Sequence, residues 1–153
     1  MRRIIFVLLA CSCILTACVK SKGIYKEELF IAATMGNSNW VATPSANVIA
    51  NTDSVQIQGL KETIPGSQKL LIRLKFNGPG TYTITGQQAS YINYFEAASF
   101  KYPLDTTQTN KVTITSYNPI DGIITGSFQL HFADASTGNK IDFTNGSFWL
   151  QIL

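Results

Sequence analysis

From Leu29 onward apolar residues recur at every second position, the period of a strand with one buried face. In KLLIRLKF, Leu70, Ile72, Leu74 and Phe76 share one face, with Leu71, Arg73 and Lys75 opposite. Val55 and Ile57 alternate with Gln56 and Gln58, Tyr82 and Ile84 with Thr81 and Thr83, and Val112 and Ile114 with Thr113 and Thr115. In IITGSFQLHF, Ile124, Phe128, Leu130 and Phe132 face one way, and Ser127, Gln129 and His131 the other. Turn-forming stretches separate these runs: IPGS at 64–67, NGPG at 77–80, NPIDG at 118–122 and STGN at 136–139. Parallel strands need crossovers of a dozen residues or more, so spacers this short make consecutive strands antiparallel neighbours. The spacing predicts an all-β fold, a single antiparallel meander of about eight or nine strands forming a small barrel or sandwich.

The last run, KIDFTNGSFWLQIL, changes parity. Ile141 and Phe143 are odd-numbered, whereas Phe148, Leu150 and Ile152 are even. A bulge at Asn145-Gly146 restores a common face. A two-residue hairpin there would instead pair Phe143 with Phe148 and Ile141 with Leu150. The bulge is the preferred reading, because it lets one long strand bend around a closed sheet.

The N-terminus is of a different kind. Arg2 and Arg3 precede an apolar run from Ile4 to Leu15, interrupted by Cys11, Ser12 and Cys13 and ended by Lys20 and Lys22. This run is too short for a membrane span, which takes about 20 apolar residues, and reads as a signal peptide. Leu15-Thr16-Ala17-Cys18 resembles the lipobox of bacterial lipoproteins, an aliphatic residue and two small ones before a cysteine that is acylated and becomes the new N-terminus. Leu8-Leu9-Ala10-Cys11 imitates it, but cleavage there leaves an apolar core of only about seven residues. The expected organisation is a signal peptide over 1–17, a lipidated tether over 18–28 and an all-β domain over 29–153. With Cys11 and Cys13 discarded and Cys18 acylated, the domain carries no thiol and no disulfide. Two or more acyl chains hold a protein firmly on a membrane, whereas one holds it marginally.

Charge narrows the partners. Without Arg2 and Arg3 the twelve Lys and Arg fall to ten, against nine Asp and Glu. Arg73 is then the only arginine, and the lysines are scattered rather than clustered as nucleic-acid binders have them. Nucleic acid is set aside as a partner. The tether VKSKGIYKEE can stand the domain off a bilayer, and its Lys26-Glu27-Glu28 resembles the charged segment that directs some lipoproteins to the cell surface.

The order of NWVAT at 39–43, GTYTITG at 80–86, ASY at 89–91, KVTITSYNPIDGIITGSFQLHF at 111–132 and IDFTNGSFWLQI at 141–152 resembles a family of small uncharacterised Bacteroidetes-type envelope lipoproteins. The resemblance implies an envelope location and a small calycin-like barrel or sandwich. Its motifs specify β geometry and bring no catalytic residues.

Residues that carry chemistry are few. His131, the only histidine, shares a face with Ser127 and Gln129 and reads as a solvated surface side chain. A triad would need a nucleophile and a carboxylate converging on it. A zinc site needs three or four ligands, and one histidine without thiols does not supply them. DASTGNKID has the carbonyl-rich composition of a calcium loop but lacks its closely spaced carboxylates, and reads as a hairpin turn. No cofactor is expected. Asp53-Ser54-Val55 and Asp105-Thr106-Thr107 match a three-residue O-glycosylation pattern of such bacteria, a weak signal at that length.

The aromatic stretch ASYINYFEAASFKY is the main candidate site. Tyr91, Tyr94, Phe95, Phe100 and Tyr102 are too many for one strand face, so some point outward or line a cavity. The spacing of 91, 94, 95 and 98 also fits a short helix, and an ordinary core role competes with both. Trp40 and Trp149 read as core. The expectation is a non-catalytic envelope lipoprotein on the outer membrane, facing periplasm or cell surface, whose β domain binds a small apolar ligand, glycan or envelope protein. A structural or accessory subunit without a ligand pocket is the alternative. A hydrolase needs paired carboxyl groups in a cleft, and the acidic residues here are dispersed among turns and tether. An open aromatic-lined cavity favours the first reading, and a filled interior with aromatics exposed on one sheet favours the second.

Overall fold

In the computed structural model, which describes residues 28–96, 98–134 and 136–153, the alternating runs become ten strands of one antiparallel sheet. They are β1 (Phe30–Met35), β2 (Ser38–Ile49), β3 (Ser54–Thr63), β4 (Gly66–Lys75), β5 (Gly80–Thr83), β6 (Ala89–Phe95), β7 (Ala98–Pro103), β8 (Lys111–Asn118), β9 (Ile123–Ala133) and β10 (Lys140–Gln151). A single 3-10 turn, Gly86–Gln88, precedes β6. Their order across the sheet is β5-β8-β9-β10-β1-β2-β3-β4-β6-β7, curled into a half-barrel. β1 to β4 with β6 and β7, and again β8 to β10, follow the chain as meanders; the chain crosses from β7 at one edge to β8 near the other, and β10 pairs back on β1. The all-β class and antiparallel meander expected from the alternation are present.

β5 departs from that expectation. The short NGPG spacer predicts that it lies beside β4, but it pairs with β8 at the opposite edge, leaving the free side of β4 to β6. The start of the spacer bonds to β5. Gly78 has φ +95, a conformation open to glycine because it has no Cβ. The Tyr82 hydroxyl donates to the Gly78 carbonyl and accepts from the Asn77 N–H at 3.0 Å. These bonds secure the spacer against its own strand rather than closing a hairpin on β4.

The parity change is a bulge, as preferred. β10 is one strand in which Phe143 faces Leu130 and Gly146 faces Phe128, so one extra residue is absorbed between them. Asn145 takes φ +51 within it. Phe143 and Phe148, of opposite parity, are therefore both buried.

Phe143 is the hub of the core. Its ring meets Trp40 at 5.1 Å, Tyr91 at 5.3 Å and Phe132 at 5.9 Å, all edge to face, and tilts toward Phe128 at 6.5 Å. Such geometry aligns the positive edge of one ring with the negative face of another. Ile57, Leu70, Ile72, Leu130 and Leu150 complete the packing without exposure. Each such side chain contributes about 1.5–3 kcal/mol on burial. Trp40 is core, as expected, but Trp149 is not. Phe148 and Leu150 point inward, so Trp149 between them faces outward, half-buried beside Phe30 and Thr125.

β9 outruns β8, and the free edge is taken by the chain leaving β7. Leu104 bridges Phe132, and the Asp105 N–H donates to the His131 carbonyl at 2.8 Å. Asn110, 2% exposed, fastens this crossing: its Oδ1 accepts the His131 N–H at 2.7 Å, and its Nδ2 donates to the carbonyls of Asp105 and Gln108. Its own carbonyl accepts from Ile84 beyond β5. One buried residue, through its amide and its main-chain carbonyl, thus links both edges of the sheet to β9.

Candidate functional site at the mouth of the half-barrel

The aromatic stretch forms the β6–β7 hairpin, not a short helix. Cross-strand register places its residues in rows over four neighbouring strands. Gly59, Leu70, Tyr91 and Tyr102 form one row on the concave face of β3, β4, β6 and β7. Two residues toward the open end, Lys61, Gln68, Asn93 and Phe100 form the next, and Thr63, Gly66, Phe95 and Ala98 the last. Successive rows lie about 6.6 Å apart, at 3.3 Å per residue.

Exposure rises along this face. Tyr91 is 1% exposed with its ring 5.7 Å from that of Tyr102, which packs partly against the core. Burial, with the neighbouring Tyr102, raises the Tyr91 pKa to about 12, so its hydroxyl stays protonated. Phe100 and Phe95 are about half exposed, at 51% and 49%. Their neighbours explain this. Phe95 stands between Gly66 and Ala98, too small to cover it, and Phe100 lies on β7, an edge strand with no further neighbour in the sheet. The five sequence candidates therefore divide: Tyr91, Phe95, Phe100 and Tyr102 share the concave face, whereas Tyr94 points to the convex one with Ser67 and Ser99 across from it.

Sequence reasoning passed over the polar members of the middle row. Lys61, Gln68 and Asn93 are half-buried among apolar rows. The Lys61 ammonium reaches the Asn39 carbonyl at 3.5 Å. The Gln68 Oε1 is buried and finds no hydrogen-bond partner among the described residues, and the same is true of the Trp40 Nε1. A buried acceptor left unmade costs about 1–3 kcal/mol. The available signal was the Thr63–Gly66 turn, from which Lys61 opposite Gln68 follows by counting.

His131 is not the solvated side chain expected. Its side chain is 15% exposed, and its Nδ1 lies 2.7 Å from the Asp142 Oδ1. A carboxylate only accepts, so Nδ1 carries the proton, leaving Nε2 to accept from the Gln129 amide at 3.2 Å. The cause is register, since Asp142 on β10 faces His131 directly. A carboxylate thus converges on the imidazole, while Ser127 lies four residues along the same strand, about 13 Å away. Asp134 caps the β9–β10 turn: bonds from the Ser136 and Thr137 hydroxyls and the Ser136 N–H lower its pKa to about 2. Thr107 bonds lower that of Asp105 likewise. In the two acceptor patterns the Asp105 carboxylate is bonded to Thr107, Thr106 is exposed and Ser54 is half-buried.

A concavity of about 730 Å³ lies where Leu29 and Phe30 meet Val41 to Pro44 of β2, and contains none of the sequence candidates. No group of three metal-ligating side chains occurs among the described residues, and no helix there is long and apolar enough to cross a membrane. Cys18, the signal segment and Lys26-Glu27 lie outside the described residues. No curated protein and no solved structure matches the chain. Residues 28–150, nearly the whole sheet, match the model of a family described as Domain of unknown function (DUF6252), and the chain belongs to that family.

Proposed function

We propose that this chain is a non-catalytic lipoprotein of the bacterial outer membrane, anchored through acyl chains on Cys18, that binds an envelope glycan or protein at the mouth of its half-barrel. The observation that carries this reading is the exposure of Phe95 and Phe100 on a concave face whose inner rows are covered. Two exposed rings are costly to leave in water, and their burial against a partner is favourable. The interlocked rings around Phe143 occupy the space where a calycin-like protein would hold a small apolar ligand, which moves the binding surface outward to the rim. That same filling, with aromatics exposed on one part of the sheet, supports the accessory-subunit reading as the second.

The test uses native envelopes. Mass spectrometry of the mature N-terminus should find an acylated Cys18, and Cys18→Ser should release the protein. The double variant Phe95→Ser/Phe100→Ser should remain anchored and folded yet lose specific cross-links to its glycan or protein partner. Cross-links identical to those of the wild type would refute the mouth as the binding surface.

A further inference from the structure

We infer that the mouth takes a carboxylate-bearing sugar, the acidic residue of a glycan containing uronic or sialic acid. This rests on the proposed binding surface and assigns its ligand class. The middle row runs Lys61, Gln68, Asn93, Phe100 across four adjacent strands, about 14 Å at the usual spacing. Each member supplies a different part of such recognition.

Phe100 and, one row out, Phe95 are half-exposed rings without a polar tip. They offer flat apolar faces to the C–H face of a pyranose, the apolar share of a site whose few polar groups set orientation. Gly66 and Ala98 on either side of Phe95 leave that face open. Gln68 and Asn93, directly paired, each carry a donor and an acceptor. Adjacent sugar hydroxyls, which also donate and accept, match a pair of amides. The Gln68 Oε1 is buried and unpartnered among the described residues, and it gains a donor from a hydroxyl once its side chain turns outward.

The fourth member sets the charge. Lys61 is half-buried, and among the described residues its ammonium has only a long contact, to a neutral carbonyl. Glu62 next in the chain is on the opposite face of β3, by strand alternation. A carboxylate brought to Lys61 gains a charge-assisted bond in a partly dry setting, about twice as strong as a neutral one. A neutral sugar would leave that ammonium without a counter-charge, so the row discriminates for acidic sugars.

The experiment presents the full-length protein, purified in detergent, to an array of uronate- and sialate-terminated glycans alongside their methyl-ester and neutral counterparts. Binding should be saturable and confined to free carboxylates. Lys61→Met should abolish the preference of acid over ester. Gln68→Leu should weaken binding about tenfold or more, and circular dichroism and urea unfolding should show both variants folded. Absence of glycan binding, equal binding of acid and ester, or unchanged binding by both variants would overturn the inference. Should the array be blank while Phe95→Ser/Phe100→Ser still removes envelope cross-links, the mouth binds a protein, and only the ligand class fails. Should those cross-links also persist, the proposed binding surface fails with it.

Discussion

Phe132 is 1% exposed with its ring 5.9 Å from that of Phe143, whereas His131 beside it faces outward and spends its imidazole on Asp142 and Gln129. The two positions separate packing from polar contributions. Phe132→Ala removes a ring from an interlocked cluster and leaves a cavity, a loss of about 3–5 kcal/mol. His131→Ala forfeits a hydrogen bond to a carboxylate that is itself half-exposed, and its backbone bonds to Asn110 and Asp105 survive. The cost is then about 1 kcal/mol, more than a freely solvated surface residue would show. Urea unfolding of the two variants checks the ranking. A loss for His131→Ala equal to that for Phe132→Ala would mean that the Asp142 pair carries far more of the fold than its exposure suggests.

The bulge in β10 depends on Gly146. A Cβ there would meet the Phe128 ring and the Phe128 carbonyl oxygen, each at 2.6 Å. Neither yields cheaply, one being backbone and the other a core ring. Gly146→Ala should therefore cost about 1–3 kcal/mol as an overpacked core does, read as a lowered unfolding midpoint with unchanged slope. A wild-type midpoint would show that Phe128 moves aside freely. This bulge was legible in the sequence because parity is a local property of one strand: Phe143 and Phe148 cannot both face inward without an extra residue. Parity also excludes Trp149 from the core once Phe148 and Leu150 are placed there, although its size suggested burial. Pairing between strands was legible only where a short turn fixes it. Thr63 and Gly66 set the register that puts Lys61 beside Gln68. Nothing local announces that β5 leaves for β8 and frees β4 for β6, so the meeting of Gln68 with Asn93 and Phe100 was hidden. Asn110 was hidden in part: Asp105 and Gln108 are near it in the chain, but the N–H groups of His131 and Ile84 reach it only through the pairing of β8 with β9 and with β5.

The meander places β1 and β10 side by side in the middle of the sheet, while its edges are β5 and β7. Both end strands of the domain are thus central, and Phe30 lies directly opposite Trp149. Removing residues 30–35 would strip Ile31 and Ala33 from the core and expose the inner edges of β2 and β10 together. By contrast, the covalent break between the two ends is of little structural account, because the ladder already holds them together. A circular permutant of the β domain, joining Leu153 to Glu28 through about five Gly and Ser residues and opened between Asn51 and Thr52, keeps every strand pairing. That turn is exposed, and its bonds are local, from Thr52 to the Ile49 carbonyl and from Ser54 to Thr52. Opening it also frees Asn51 from φ +61, which favours the unclosed chain by a small amount. The permutant should fold to the same β-type circular dichroism spectrum and unfold cooperatively, as is usual for domains whose ends lie close together. The deletion of residues 30–35 should not fold. A permutant that fails while the deletion survives would show that the central pairing of β1 with β10 is dispensable, and with it the closure of the meander on which the concave mouth depends.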